Sequence, residues 1–270
     1  MSAERSLREM MSLDGRVALV TGGAGHIGRV VANGLAELGA GIAIADVAAP
    51  GGEEAAAALA TNFPVKASAF ACDFEQAADV EELPRRVREK FGRIDIIVNC
   101  AAFVGTSGLE GWAVPFEQQS AQTWRRALEV NLTAPFVLVQ AAAADLAASG
   151  HGSVINISSI YGLVGPDWRL YQGTSLGNPA AYAASKGGLI QMTRWLATTM
   201  APKVRVNAVA PGGVFRQTPE PFLSRYAART PLARMAREDD IKGAVAYLAS
   251  DLSAYVTGQC IAVDGGWTAW

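Results

Sequence analysis

The chain has 270 residues, of which 50% are hydrophobic and 18% charged, and its formal net charge is −2. This composition predicts a globular protein with one sizeable core. The near-zero charge, without any basic run, argues against nucleic acid as a partner, and no apolar run reaches the roughly eighteen residues of a membrane span.

The N-terminal segment and the cysteines indicate the cellular compartment of the protein. The first dozen residues mix charges and lack an apolar stretch, so we expect no secretory signal there and predict a flexible arm over 1–12 of a single domain, 1–270. Three well-separated cysteines, Cys72, Cys100 and Cys260, favour reduced thiols in the cytoplasm. With two histidines and no paired cysteines, no metal site is expected, and redox chemistry would need an organic cofactor.

The first organised stretch is a strand, a glycine turn and a helix. A β-rich run over 16–21 ends in the turn Gly22–Gly28, where Gly23, Gly25 and Gly28 occupy the G-x-G-x-x-G positions. The glycines permit a tight turn, and the following helix N-terminus offers free N–H groups to a pyrophosphate. This unit predicts a dinucleotide site.

The second strand, 41–46, ends in Asp46, eighteen residues after Gly28. A carboxylate there would accept hydrogen bonds from the adenosine ribose and repel a 2′-phosphate. No Arg or Lys lies in the glycine turn or just after Asp46. The predicted cofactor is NAD rather than NADP.

Apolar strands and helical segments alternate over the rest of the chain. We predict strands at 65–72, 94–99, 153–158, 204–209 and 260–263, and helices at 76–91, 116–149, 179–200 and 238–249. Pro135 is expected to kink or break the second of these helices, and 214–230, with its two prolines, to form a mobile flap. Seven such strands imply an α/β fold, one parallel doubly wound sheet covered by helices on both faces. Ligands bind such sheets beyond the carboxyl ends of the strands.

Tyr182 and Lys186 are four residues apart in a predicted helix and would project from one face. A tyrosine that works as a base near neutrality needs its pKa of about 10 lowered by roughly two to three units. An ammonium about 4 Å away supplies about 4 kcal/mol at an effective dielectric near 20. The spacing alone is also typical of an amphipathic tyrosine beside a solvated lysine.

Together these motifs resemble the short-chain dehydrogenase/reductase family, in its compact single-domain branch, from about Leu13 to Gly266. The residues that carry the resemblance are the turn after Val20-Thr21, Asp73, Asn99-Cys100-Ala101-Ala102, Asn131, Ser159, Tyr182, Lys186 and Pro211-Gly212. It implies a Rossmann-type seven-stranded fold, a nicotinamide cofactor, an alcohol or ketone substrate and commonly a homotetramer.

The resemblance also implies how the cofactor is held. Asp73 would bind the adenine amino group, and Asn99 would hold the backbone on the side that faces the cofactor. The main chain of Val214 would bind the nicotinamide carboxamide. The full set of expected cofactor residues is Gly22, Gly25, His26, Ile27, Gly28, Asp46, Asp73, Phe74, Asn99, Ala101, Tyr182, Lys186, Pro211, Gly212 and Val214.

Three departures from the family pattern stand out. His26 replaces the middle glycine of the turn and is expected to cap the helix or face solvent. Cys100 replaces an asparagine and is expected to be a small buried side chain. Ser159 and Tyr182 are 23 positions apart rather than little more than a dozen, and the extra residues, Asp167–Asn178, would lie beside the active site.

The roles that the resemblance implies are catalytic. Tyr182 would exchange a proton with the substrate oxygen, Lys186 would lower the pKa of Tyr182 and hydrogen-bond the nicotinamide ribose, and Ser159 would stabilise charge on that oxygen. Asn131 would position a water between Lys186 and solvent; the alternative is a satisfied asparagine at a helix kink. Ser158 is the rival of Ser159.

The expected reaction is NAD-dependent interconversion of a secondary alcohol and a ketone. The insertion offers aromatic faces and polar groups that suit a sugar, sugar acid or polyol: Trp168, Arg169, Tyr171, Gln172, Thr174, Ser175 and Asn178. Alternatively, the insertion only closes the site or contacts another subunit. Two other functions stay open, a sugar-nucleotide epimerase or dehydratase and a non-catalytic dinucleotide-binding protein.

Overall fold

The computed structural model describes residues 4–270. Its strands are β1 (Val17–Thr21), β2 (Gly41–Asp46), β3 (Ala67–Ala71), β4 (Ile96–Asn99), β5 (Gly152–Ile157), β6 (Val204–Pro211) and β7 (Cys260–Val263). They form one parallel sheet in the order β3-β2-β1-β4-β5-β6-β7. The predicted seven-stranded Rossmann-type α/β fold is confirmed. The strand order reverses between β1 and β4, where a crevice opens at the carboxyl edge.

The helices that connect and cover the strands are α1 (Leu7–Met11), α2 (His26–Glu37), α3 (Ala49–Asn62), α4 (Ala77–Phe91), α5 (Ala121–Leu128), α6 (Ala134–Ala141), α7 (Ala143–Ala148), α8 (Ala180–Met200), α9 (Glu220–Arg229) and α10 (Asp239–Ala249). Among residues 4–270, none of them combines the length and apolarity that crossing a membrane requires.

The strands β1, β2, β4, β5 and β6 contribute side chains to two separate cores, one on each face of the sheet. Leu19 of β1 packs into a cluster with Leu83 of α4 and Leu196 of α8. The next residue, Val20, packs on the opposite face, with Leu35 of α2 and other apolar residues of α3 and α10. Because both faces of these inner strands are buried, most of their side chains are apolar and do not alternate with polar ones, as expected for a parallel sheet.

The N-terminal segment is partly structured. Residues 1–3 of the arm predicted over 1–12 lie outside the described residues. Ser6 caps α1 in a capping box with Glu9, and Arg5 forms an ion pair with Asp251 at 2.7 Å. These contacts join the end of the arm to the body of the domain.

Two proline-containing segments were singled out from the sequence. The interruption expected at Pro135 is present, since a π-helical turn, Glu129–Thr133, separates α5 from α6 and Pro135 lies in the first turn of α6. Residues 214–230, expected to be a mobile flap, contain α9 with Pro221 in its first turn. A proline is tolerated in the first turn because its missing N–H would be unpaired there in any case.

Candidate active site

All of the predicted site residues except Asn99 and Asn131 line one cleft of about 1030 Å³ at the carboxyl ends of the strands. That volume suits a dinucleotide together with a small substrate, since drug-sized ligands occupy roughly 300–1,000 Å³. One surface therefore joins the glycine turn, Asp46 and the Ser159–Tyr182–Lys186 set.

The glycine turn places unpaired N–H groups at one end of the cleft. Gly22 has φ +63°, and a β-carbon on Gly28 would collide with the Gly22 carbonyl, so the turn packs directly against the start of α2. Gly25 is the N-cap, and the N–H groups of His26, Ile27 and Gly28 have no acceptor within the helix. This arrangement fits the diphosphate of a dinucleotide. The His26 side chain is exposed, 3.7 Å from Glu238.

Asp46 ends β2 on the same edge. Its two carboxylate oxygens accept hydrogen bonds from the N–H groups of Ala24 (3.0 Å) and Ala48 (3.2 Å). Those bonds fix a negative charge where the first two strands end beside the turn. The position fits recognition of an adenosine ribose.

Asn99 lies behind the cleft. Its amide nitrogen donates to Asn156 Oδ1 at 2.8 Å, while its own Oδ1 is buried and finds no hydrogen-bond partner among residues 4–270. Thr21, which the sequence did not single out, accepts from the N–H groups of Cys100 (3.0 Å) and Ala101 (3.1 Å). These contacts hold the loop after β4 against the glycine turn. Cys100 lines the cleft, and although the residue as a whole is partly exposed, burial raises the pKa of its thiol to about 11.

Ser159 and Ser158 have different contacts just past β5. The Tyr161 N–H donates to Ser159 Oγ at 3.2 Å, which leaves the Ser159 hydroxyl proton able to donate into the cleft. The Ser158 hydroxyl instead donates to the Lys186 carbonyl at 2.9 Å. This difference supports Ser159 over its rival as the group that meets a substrate.

Lys186 lies in the floor of the cleft and is 3% exposed. Its Nζ donates to the Ile157 carbonyl at 2.7 Å and lies 5.7 Å from the centroid of the Tyr182 ring. Burial lowers the pKa of Lys186 to about 8, because the ammonium is the form that loses most hydration.

Tyr182 differs electrostatically from the expectation. Burial raises the pKa of its phenol, and the Ser159 hydroxyl and the more distant Arg216 guanidinium only partly oppose that shift. We expected Lys186 to lower this pKa, yet desolvation is the largest cause of the shift for both side chains and penalises the charged form of each. Tyr182 is therefore a neutral phenol at neutral pH, in the form that donates a proton.

Asn131 lies in the π-helical turn and is 1% exposed. Its side chain accepts from the Phe103 N–H at 2.8 Å and donates to the Phe103 carbonyl and to Ser185 Oγ. The contacts match the alternative considered from the sequence, a satisfied asparagine at a helix kink. They connect the loop after β4 to α8, which carries Tyr182.

The insertion Asp167–Asn178 borders the cleft with only part of its length. Tyr171, Leu176, Gly177 and Asn178 line it. Trp168 is 56% exposed and Arg169 pairs with Asp167 at 2.7 Å, so neither forms part of the cleft wall. Within residues 4–270, no three His, Cys, Asp or Glu side chains cluster as metal ligands.

Comparison with known proteins places this cleft in a family. Residues 22–268 match the family model described as enoyl-(acyl carrier protein) reductase. The cis-4-hydroxycyclohexanecarboxylate dehydrogenase of Sinomonas cyclohexanicum is 36% identical over 94% of this chain and 97% of its own. The D-threitol dehydrogenase of Mycolicibacterium smegmatis is 35% identical over 95% of this chain and 94% of its own.

A solved structure is also similar to this chain over nearly its whole length. The putative NAD(P)-dependent gluconate 5-dehydrogenase of Beutenbergia cavernae, with bound NADP, is 34% identical with a TM-score of 0.84, covering 97% of this chain and all of that one. The chain belongs to the short-chain dehydrogenase/reductase family, as its motifs predicted. It is thus an oxidoreductase of a family that binds a nicotinamide dinucleotide.

Proposed function

We propose that the protein is an NAD-dependent dehydrogenase that interconverts a secondary alcohol and a ketone. The observation that carries the proposal is the meeting of Ser159, Tyr182 and Lys186 with the glycine turn and Asp46 in one cleft. The nicotinamide, when bound, accepts or supplies the hydride. The relatives named for threitol, gluconate and a hydroxycyclohexane carboxylate all act on hydroxylated carbon, which supports this reaction type.

The chain's own side chains then handle the proton and the developing charge. Ser159 donates a hydrogen bond to the substrate oxygen, which favours negative charge on that atom. In the reducing direction the neutral Tyr182 phenol gives its proton to that oxygen; in the oxidising direction the phenolate takes it back. Lys186 supplies a positive charge beside the phenol, and Asn131 holds the loop and helix that frame the site.

Asp46 sets the preference for NAD in this proposal. Replacing Asp46 with serine removes the negative charge that faces a 2′-phosphate while keeping an acceptor for the neighbouring N–H groups. We expect the ratio of kcat/KM for NADP over NAD to rise about tenfold or more, since two charges near 4 Å interact by several kcal/mol at a dielectric near 20. Initial rates with both cofactors measure this ratio.

The matched control is Glu54→Gln, which removes an exposed carboxylate from α3. It should leave the cofactor ratio unchanged. An Asp46→Ser variant with the wild-type ratio would show that Asp46 does not discriminate between the two cofactors.

The test of the whole proposal is an NADH absorbance screen of polyols, sugar acids and simple secondary alcohols, with NAD and NADP in parallel. Reduction of NAD by at least one alcohol supports it, and no reduction by any of them favours a non-catalytic dinucleotide-binding protein. A tightly retained cofactor would favour an epimerase; against that reading, the described residues after β6 form α9, α10 and the strand β7 of the same sheet.

We also propose a homotetramer in the cytoplasm. The family resemblance supports the tetramer, and three free cysteines support a reducing compartment. Light scattering on the purified protein should give four times the 28.2 kDa chain mass.

A further inference from the structure

Three neutral polar side chains meet in the wall of the cleft beside the reacting residues. The hydroxyl groups of Tyr161 and Tyr171 are 2.7 Å apart, and Asn178 lies close enough to act on both phenols. All three line the same cleft as Ser159 and Tyr182. We call Tyr161, Tyr171 and Asn178 the polar triad.

The triad lies next to the site of reaction in sequence and in space. Tyr161 is two residues after Ser159, and its N–H donates to Ser159 Oγ. Tyr171 is near enough to Tyr182 to influence the pKa of that phenol. The triad therefore lines the part of the cleft that adjoins Ser159 and Tyr182.

The hydrogen bonding of the triad is incomplete. Asn178 is 7% exposed, and its Oδ1 is buried without a hydrogen-bond partner among residues 4–270. A buried unpaired acceptor has lost its hydration without gaining a hydrogen bond, so such groups call for an explanation. Of the two tyrosine hydroxyls, one donates to the other, which leaves one phenolic proton for a third group.

One free donor and one unpaired acceptor match a particular ligand group. A hydroxyl both donates and accepts, so it can pair with the phenol and with the asparagine together. A ketone or a carboxylate only accepts and would leave the Asn178 oxygen unpaired. Burial raises the pKa of both Tyr161 and Tyr171, so the triad carries no charge at neutral pH.

The triad is held in place by contacts outside the cleft. The Arg225 guanidinium of α9 donates to the carbonyls of Arg169, Leu170 and Gln172, and the Tyr171 ring packs edge-on against Phe222 of α9 at 5.2 Å. The insertion is thereby fixed against α9. A pre-positioned site loses less freedom when a ligand binds.

We propose that the polar triad binds a second hydroxyl of the substrate, on a carbon close to the one that reacts, so that the enzyme prefers neutral diols and longer polyols over simple alcohols. This inference rests on the proposed alcohol dehydrogenase activity. It assigns Asn178 and Tyr171 as specificity-determining residues and leaves the exposed Trp168 and Arg169 without a substrate contact.

The test compares alcohols that share a carbon skeleton: butane-2,3-diol with butan-2-ol, and cyclohexane-1,2-diol with cyclohexanol. We expect the wild-type kcat/KM with NAD to be at least about tenfold higher for each diol, the cost of leaving polar groups of the site unpaired. In Asn178→Leu and in Tyr171→Phe, kcat/KM should fall at least about tenfold more for the diols than for the simple alcohols. A rise in KM for the diols, with kcat unchanged, would show that these residues act in substrate binding.

Arg169→Ala is the matched control, since it changes the same insertion outside the cleft, and it should keep the wild-type ratio. Turnover of the simple alcohols with no preference for the diols would overturn the inference and leave the proposed function intact. An equal fall for both kinds of alcohol in Asn178→Leu would do the same. No turnover of any of the four by protein that binds NAD would overturn the inference, and the wider screen of polyols and sugar acids would then decide the proposed function separately.

Discussion

Replacing Tyr182 with phenylalanine is expected to lower kcat by about 10²- to 10⁴-fold, the usual contribution of a positioned proton-transfer group. The ring stays in its place among Phe103, Trp112 and Ala181, and only the hydroxyl that faces Ser159 is lost. Because burial raises the pKa of this phenol and keeps it neutral at neutral pH, its removal takes no charge from the fold. The midpoint of thermal unfolding and the Kd for NAD should therefore stay close to the wild-type values.

The control for this substitution is Tyr255→Phe, which removes the hydroxyl of a fully exposed tyrosine. Rates come from NADH absorbance, and NAD binding from titration calorimetry. Turnover within tenfold of wild type would exclude Tyr182 as the proton carrier. A large loss of NAD affinity would show that the hydroxyl acts on cofactor binding instead.

The pH dependence of the two directions follows from the same raised pKa. Oxidation needs the phenolate, so its rate should rise with pH over the alkaline range. Reduction uses the neutral phenol, which is already present at neutral pH. Opposite slopes in the two directions would therefore support Tyr182 as the shared proton carrier.

The glycine turn, Asp46 and the Tyr182–Lys186 spacing could be recognised in the sequence because each depends on residues close together in the chain. The strands were equally readable, since burial on both faces makes them continuous apolar runs. The structure brings these parts together because parallel strands end on one edge of the sheet.

The segments that the sequence left undefined depend on distant contacts or on the position of a proline. Pro219 and Pro221 suggested a flap, and the structure adds that this segment contains α9, with Pro221 in the first turn, where a proline is tolerated. Which residues of the insertion face the cleft depends on Arg225, more than fifty positions away. No local pattern encodes that contact.

The charge states of Tyr182 and Lys186 could not be predicted from the sequence either. Spacing alone places an ammonium near a phenol and suggests attraction between their charged forms. Spacing does not reveal that Lys186 donates to the Ile157 carbonyl or that both side chains are poorly hydrated. Desolvation opposes the charged form of each group, and this determines what substitution of Lys186 does to stability.

Replacing Lys186 with methionine should abolish measurable turnover and still leave a protein as stable as wild type, or more stable, at pH 7. The pKa of Lys186 is about 8 in the folded protein against 10.5 for a free lysine. At 1.36 kcal/mol per pH unit, this shift corresponds to a native-state penalty of about 3 kcal/mol below pH 8. Methionine removes that penalty but leaves the Ile157 carbonyl unpaired, at a cost of about 1–3 kcal/mol.

The pH dependence of stability separates the effect of the Lys186 charge from the effect of the hydrogen bond that Lys186→Met removes. Between pH 8 and 10.5 the unfolded chain keeps the proton of Lys186 while the folded chain has released it, so the free energy of unfolding rises with pH. Wild type should therefore gain about 3 kcal/mol relative to Lys186→Met over this range. Urea unfolding of both proteins at several pH values measures the difference, in which other shared titrations cancel.

Lys203→Met, which removes an exposed lysine, is the control and should run parallel to wild type at every pH. If the free energies of unfolding of wild type and Lys186→Met changed in parallel with pH, Lys186 would titrate alike in the folded and unfolded chains. That result would contradict the claim that burial penalises its ammonium. The gain of wild type relative to Lys186→Met that is expected here would instead mean that the cleft keeps a costly positive charge beside Tyr182. A charge that lowers stability and is retained where the proton is exchanged is best explained by its use in the reaction.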